Sequence, residues 1–255
     1  MAHSWSHIFD VIRTLVRRDF VGRYRNTALG MLWALVSPML FLGVFYFVFG
    51  VLFKIGIEKY ASFVLVGVLS WAWFQQAVAQ AVSTITANPN LVSQPGFPTA
   101  ALPVVAVTAT LLNFLIAVPL VMVVFLIEGV QPSATYILLP AVIITQYVLA
   151  LAVCYFVAAI NVTARDVQYI VPVILQIGYY ITPIFYSPAN IPPEYIRILS
   201  INPMYTVINA YRDILIYNRA PPWADLMLVL VISLGLLVAS FLYFRRASLR
   251  FLEEI

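Results

Sequence analysis

Apolar residues fill this chain in long blocks, and the polar positions between them fix where it must turn. No formally charged residue occurs from Tyr60 to Ile127. About 20 apolar residues suffice for a helix to cross a bilayer, so this run must fold back at least once. The fold-back is marked at Ser83–Val104, STITANPNLVSQPGFPTAALPVV. Asn88-Pro89-Asn90, Gln94-Pro95-Gly96 and Phe97-Pro98 supply turn formers in quick succession, while Leu91, Val92 and Phe97 stay apolar. Residues 83–104 therefore read as a loop between two spans, carrying a short helical piece whose greasy face suits docking.

The same pattern predicts spans over about 29–53, 61–85, 101–127, 136–162, 167–186 and 224–244. Residues 1–26 are different. Trp5, Ile8, Phe9, Ile12, Leu15, Val16 and Phe20 recur at helical spacing, with Arg13, Arg17, Arg18, Arg23 and Arg25 between them. That pattern predicts an amphipathic helix in the headgroup plane with its arginines toward anionic lipid. Residues 187–223 break twice, at Ser187-Pro188-Ala189-Asn190 and at Ile191-Pro192-Pro193-Glu194. They then offer two pieces, about 194–199 and 204–216, separated by Asn202-Pro203 and too short to span. Both read as re-entrant or interfacial helices that line a cavity or pack on protein. The predicted fold class is an all-α integral membrane protein. It is one domain over 1–255, with six transmembrane helices, an amphipathic interface helix and an outer helical hairpin before the last span.

Composition supports that reading. Hydrophobic residues make up 63% and charged residues 9%, against a soluble norm of about 25% charged. No cleaved signal peptide is expected, because no short apolar segment with a cleavage site precedes the first span. The single Cys154 lies in an apolar run and reads as a small core residue. Six spans put both termini on one side. Nine basic residues fall on that side: the five amino-terminal arginines, Arg165, Arg245, Arg246 and Arg250. Lys54, Lys59, Arg197, Arg212 and Arg219 fall on the other. The excess predicts cytoplasmic termini, a cytoplasmic 83–104 loop and an outward-facing 187–223 hairpin. The modest positive balance is read as topology and headgroup contact, with no nucleic-acid partner.

Candidate chemistry is sparse. There is no Gly-rich phosphate loop, so the chain is not expected to hydrolyse ATP by itself. Apart from Asp225 at the edge of the last one, the predicted spans hold no acidic or basic side chain for ion coupling. Energy should therefore come from a partner, with the 83–104 loop as the obvious contact. Arg165-Asp166 reads either as a charged cap at the membrane face or as a second docking contact. Aromatic residues cluster at Phe41, Phe45, Tyr46, Phe47 and Phe49, at Trp71, Trp73 and Phe74, and at Tyr179, Tyr180, Phe185 and Tyr186. They read as interfacial girdle and packing, or as a lining that stacks on sugar rings. Asn202-Pro203-Met204-Tyr205 and Tyr211-Arg212-Asp213 read as turn and anchor, or as an outer gate.

Several stretches resemble one family. Gly22-Arg23-Tyr24-Arg25, then Leu29-Gly30-Met31-Leu32-Trp33-Ala34 and Pro38, resemble the start of ABC type-2 exporter permeases. The polysaccharide-export branch, which moves O-antigen, teichoic acid and capsule chains, is the narrower likeness. Further matches follow in order: Asn88 through Leu91 with Phe97-Pro98 and Leu102-Pro103, Ala164-Arg165-Asp166-Val167, and Asn202-Pro203-Met204-Tyr205.

The resemblance implies a homodimeric permease in the bacterial cytoplasmic membrane, paired with two ATP-binding subunits. ATP and Mg would be bound by those partners, with no cofactor in this chain. It implies a coupling helix among Asn88, Leu91, Val92, Phe97 and Pro98, with Arg165 and Asp166 beside it. It implies a gate built on Asn202, Pro203, Tyr205, Arg212 and Asp213, and a lipid-linked glycan held by Phe41, Phe45, Phe49, Tyr179, Tyr180, Phe185 and Tyr186. One departure stands out: relatives usually carry charges through the coupling loop, and here it is uncharged from Asn88 to Pro103. Docking would then rest on Leu91, Val92 and Phe97, and Phe97→Asp is expected to impair coupling without destroying the fold. The alternatives are a drug or small-lipid exporter of the same fold, and an integral-membrane glycan or lipid transferase. The transferase would need its carboxylates, Asp166, Glu194, Asp213 and Asp225, to cluster.

Overall fold

The computed structural model describes residues 5–24, 30–54, 56–187 and 191–254, and every regular element among them is helical. Arg25 and the Pro188–Asn190 turn lie outside the described residues, as does the side chain of Arg23. The amino-terminal helix α1 (Trp5–Tyr24) leads to a first span made of a 3-10 turn (Gly30–Leu32), α2 (Trp33–Phe45) and a π-helix (Tyr46–Leu52). Then come α3 (Tyr60–Val82), the short α4 (Pro89–Val92), α5 (Ala101–Ile116), α6 (Val118–Ile127) and α7 (Leu139–Thr163). The chain ends with α8 (Val167–Ile181), α9 (Pro193–Leu199), α10 (Pro203–Leu215), α11 (Trp223–Ala247) and α12 (Phe251–Glu254).

Five of these stretches are long and apolar enough to cross a membrane, and α8 is a shorter apolar helix. The expected third span is met as the apolar stretch Ala101–Ile127, jointed at Ala117, where Pro119 has no N–H for a continuous helix, so that α5 and α6 follow in succession. One expected span is corrected. The fifth stops at Ile181, not Tyr186, because Thr182-Pro183 turns the chain into extended backbone. At 1.5 Å per residue, α8 covers only about 22 Å of a core about 30 Å thick.

The helix α3 is the mast of the bundle: 72% of its apolar window is buried, against none of the first span's. It packs against α2, α5, α6, α7, α8 and α10. Where the surroundings are lipid, helices gain little from hiding apolar surface and rely on close packing instead. Ala77, Ala81, Ala106, Ala150 and Ala158 are buried for that reason, letting α3, α5 and α7 approach closely.

Three polar hooks hold α3. The first is at its amino end. Lys59 is in left-handed backbone and provides no side-chain cap. The carboxylate of Glu128, at the end of α6, accepts instead from Ala61 N (3.0 Å), Ser62 N (2.7 Å) and Ser62 Oγ. A negative charge there satisfies orphan donors and suits the positive end of the helix dipole.

Arg212 is the second. It projects from α10 and is 1% exposed. Its Nη1 donates to Pro183 O (2.7 Å) and Nη2 to Ile184 O (2.7 Å). Nε and Nη2 both reach Phe63 O at 3.3 Å, and the guanidinium carbon lies 3.4 Å from the centre of the Phe63 ring. Gly67 makes room: a Cβ there would stand 2.8 Å from Nη2. The third hook is Gln146 of α7, whose Nε2 donates to Ser70 O at 2.7 Å.

Glu128→Ala is expected to lower the unfolding free energy of the detergent-solubilised chain by about 2–3 kcal/mol, the scale of charge-assisted hydrogen bonds. Glu128→Gln should recover part of it, because an amide oxygen still accepts. Equal stability of wild type and alanine variant in a denaturant titration would remove the capping role. Arg212→Lys keeps the charge but loses the planar fork. Hydrogen exchange of the α9–α10 amides is expected to quicken at least tenfold in that variant, with the amides of α11 unchanged.

Candidate functional site: an aromatic cavity between two locked ends

The hairpin of α9 and α10 is fixed before any function is considered. Asn202 Oδ1 accepts from Met204 N at 3.0 Å, capping α10, while its Nδ2 donates to Thr182 Oγ1 at 2.8 Å. Thr182 in turn donates to Gly178 O, so the cap is tied to the end of α8. Pro203 sits at the first position of α10, where its missing N–H is harmless. The other end of α10 is held by Thr135 and Tyr136, which donate to Ile214 O and Leu215 O at 3.0 Å each. Asp213 pairs with Arg219 at 2.6 Å. Burial raises its carboxyl pKa, and Arg219 pulls the other way.

The expected gate residues Asn202, Pro203, Arg212 and Asp213 thus serve as fixed joints between α10 and its neighbours, and Tyr205 is half-buried among them. Arg212 itself is a charge inserted into the apolar body, with its donors on backbone carbonyls. The carboxylates of the transferase alternative do not gather. Asp213 is engaged by Arg219, and no group of three His, Cys, Asp or Glu side chains suited to a metal occurs among the described residues.

Six of the seven aromatic candidates are brought into one cluster. Phe185 lies at its centre, stacked on Phe45 (5.1 Å between ring centres) and Phe49 (5.3 Å). Tyr179 and Tyr180 approach Phe185 at 6.2 Å each, and Tyr186 at 5.2 Å. The Tyr186 hydroxyl donates to Ile181 O at 2.6 Å, which folds the turn after α8 back onto its own helix. The Tyr60 hydroxyl donates to Phe185 O at 2.9 Å, joining the cluster to the head of α3.

This cluster walls one side of a cavity of about 500 Å³ between the first span, α3, α5 and α8. Phe41, the seventh candidate, lines the cavity with Phe45, Tyr179 and Tyr180, although half its surface is open. Trp33, Trp71, Trp73 and Phe114 add further rings, and no lining residue is charged. Gly178 permits this shape: a Cβ there would meet the Trp71 ring at 2.9 Å.

Polar groups of the lining are all neutral. The pattern of charges and aromatic runs gave no notice of Gln75, Gln76, Asn113 and Gln176, which contribute amides. Their signal was available: amides inside otherwise charge-free spans are costly unless partnered or facing a cavity. Gln75 Oε1 accepts from Trp71 Nε1 one turn away (3.0 Å). The Tyr179 hydroxyl is buried without a hydrogen-bond partner. Flat rings and neutral donors or acceptors suit a ligand with apolar C–H faces and many hydroxyls.

At the opposite end, the loop expected to dock a partner is built differently from its sequence reading. Val92 is 6% exposed, while Leu91 and Phe97 are half-buried against a second core made by Leu15, Val16, Ile85, Leu102, Tyr155 and Phe244. The greasy face of α4 thus turns inward, toward an apolar core to which α1, α5, α7 and α11 contribute. Removing Leu15 and Val16 from water contributes about 1.5–3 kcal/mol each. The amphipathic helix therefore rests its apolar stripe on protein, with Arg13, Arg17 and Arg18 exposed.

Arg18 donates to Asn88 Oδ1 at 3.3 Å, and Asn88 Nδ2 donates to Thr84 O at 2.9 Å. Asn88 is thus the staple of the loop. What remains open is polar: Asn90, Ser93, Gln94, Pro95 and Gly96, with Pro98 half-buried at the edge. Arg165 and Asp166 are exposed at the α7–α8 turn, and Arg165 reaches Glu254 O at 3.4 Å.

Comparison with known proteins agrees with this architecture. The chain is similar to the O-antigen export system permease protein RfbA of Myxococcus xanthus, 34% identical over 244 residues, 95% of this chain and 94% of that protein. A protein of the same name from Klebsiella pneumoniae is 26% identical over 254 residues, covering 99% and 98%. The polysialic acid transport protein KpsM of Escherichia coli is 23% identical over 217 residues, 84% of each chain. Residues 10–216 match the family described as ABC-2 type transporter, and the chain belongs to that family.

Proposed function

We propose that this chain is the permease subunit of an ATP-driven exporter of lipid-linked polysaccharide, of O-antigen, teichoic acid or capsule type. The observation that carries the reading is the uncharged cavity walled by Trp33, Phe45, Trp71, Tyr179 and Tyr180 and furnished with amides. Pyranose C–H faces stack on such rings, and amides bond sugar hydroxyls without holding one sugar against the next. The export permeases to which the chain is similar support the same substrate class.

The working unit in this reading is a homodimer with two nucleotide-binding subunits, which bind ATP and Mg. It sits in the bacterial inner membrane with both termini cytoplasmic. The first span and the outward face of α8 (Ile170, Val173, Ile174, Ile177) leave an apolar surface open beside the cavity. A second copy across that surface would turn two cavities into one channel. The loop around α4 meets the ATPase through Asn90, Ser93 and Gln94, since Val92 and most of Phe97 are occupied by the fold. Arg13, Arg17 and Arg18 on α1 face the headgroups.

Two outcomes test this. In membranes holding the chain with its ATPase, Tyr180→Ala is expected to cut glycan export several-fold, since an aromatic contact contributes about 1 kcal/mol, with basal ATP hydrolysis kept. Unchanged export would move the substrate away from the cavity and favour a small-lipid or drug exporter. Asn90→Arg with Gln94→Glu is expected to uncouple ATP hydrolysis from export while leaving the unfolding midpoint within a degree or two. Phe97→Asp should instead lower that midpoint as well, because the ring packs against the second core.

A further inference from the structure

Beyond the aromatic cavity there is a second one, of about 360 Å³, lined by Tyr46, Phe49, Lys54, Lys59, Tyr60 and Glu128 among others. Lys54 and Lys59 are the two lysines of the whole chain, and both face this one space. Both hold left-handed backbone, with φ of 47° and 54°. That region is uncommon for residues other than Gly, Asn and Asp, and it persists only where the surroundings over-determine it. Among the described residues neither ammonium forms an ion pair. The carboxylate in the lining, Glu128, spends its oxygens on Ala61 N, Ser62 N and Ser62 Oγ at the head of α3. The rings of Tyr46 and Tyr60 stand 6.5 Å apart across the same space. Phe49, which belongs to the lining, stacks on Phe45 at 6.1 Å, and Phe45 belongs to the first cavity.

We propose that this pocket binds a phosphate-type anion, held by the Lys54 and Lys59 ammonium groups against an aromatic wall. Two lysines line one small space with a single carboxylate, Glu128, whose oxygens are turned to the head of α3, so the lining carries one more positive than negative charge. Lysine is a point-charge binder of phosphate oxygens. The pocket is set at the end of the first span, where headgroups lie, and it adjoins the stacked rings of the aromatic cavity. The anion therefore comes either from a phospholipid headgroup or from a phosphorylated sugar, and the chemistry of recognition is shared. The site stands on its own geometry and does not require the proposed polysaccharide cargo.

The test uses the full chain in phosphatidylcholine nanodiscs. One arm adds phosphatidylglycerol and counts retained lipid by native mass spectrometry. The other titrates glucose 1-phosphate by calorimetry. The comparison is Lys54→Asn with Lys59→Asn, since asparagine tolerates the left-handed backbone. Lys54→Arg with Lys59→Arg is the charge-keeping control, and Lys54→Asn alone serves if the double variant does not fold. The wild type is expected to bind in at least one arm. The asparagine pair should weaken that binding about tenfold or more, and the arginine pair should keep it. Binding in the lipid arm alone assigns a headgroup, and binding in the sugar arm alone assigns a glycan phosphate. No binding in either arm, or equal binding by wild type and the asparagine variant, overturns the proposal. Because no transport is read, failure here leaves the export reading untouched, and a failed export assay leaves this site untouched.

Discussion

A single guanidinium, inserted into an apolar body, decides how the half of this protein around α10 is arranged. Arg212 stays charged in any protein environment, so its burial is tolerable only if its donors are met. They are met by carbonyls that themselves need partners: Pro183 O and Ile184 O, just past the end of α8, and Phe63 O on α3. Charge and carbonyls satisfy one another, and in doing so they weld three separate pieces of chain. Glu128 and Gln146 repeat the logic about half a turn above and two turns below, on Ala61–Ser62 and Ser70. In lipid, where hiding apolar surface gains little, such polar hooks together with close small-residue packing are what give a helix a defined position.

The two ends of the molecule are held by different forces. The α10 end has buried hydrogen bonds and a charge that cannot leave, whereas the loop around α4 rests on an apolar core shared with α1 and on the exposed Arg18–Asn88 contact. An exposed hydrogen bond contributes little, and an apolar seam can slide.

Between them, the cavity owes its shape to the contrast between α3 and its neighbours. The mast is buried and hooked, while the first span and α8 lean on it through rings: Phe45, Phe49 and Phe185 stack in series, and Trp71 crosses α8 at Gly178. Stacked rings slide past one another at low cost, so this wall combines definition with the ability to shift. The π-helix of the first span falls in the same stretch, and Phe49 belongs to it. Wider turns there re-aim the side chains relative to a regular helix.

Hydrophobic runs and turn formers determined the class of fold, the span order, the loop at 83–104 and the broken hairpin, because a bilayer leaves a backbone few ways to satisfy its hydrogen bonds. Aromatic runs named the residues that end in one cluster, since rings in the first and fifth spans could meet only if those spans were neighbours. Which of those rings touch was decided by tertiary packing alone, through the Thr182-Pro183 turn that swings Phe185 back against Phe45. The same holds for α4, whose apolar face looked free because local sequence does not reveal the core that α1, α5, α7 and α11 build beneath it. The burial of Arg212 was hidden in the sequence for a related reason. A lone arginine in a short helix carries no sign of the three carbonyls and one glycine, far away along the chain, that make its burial possible.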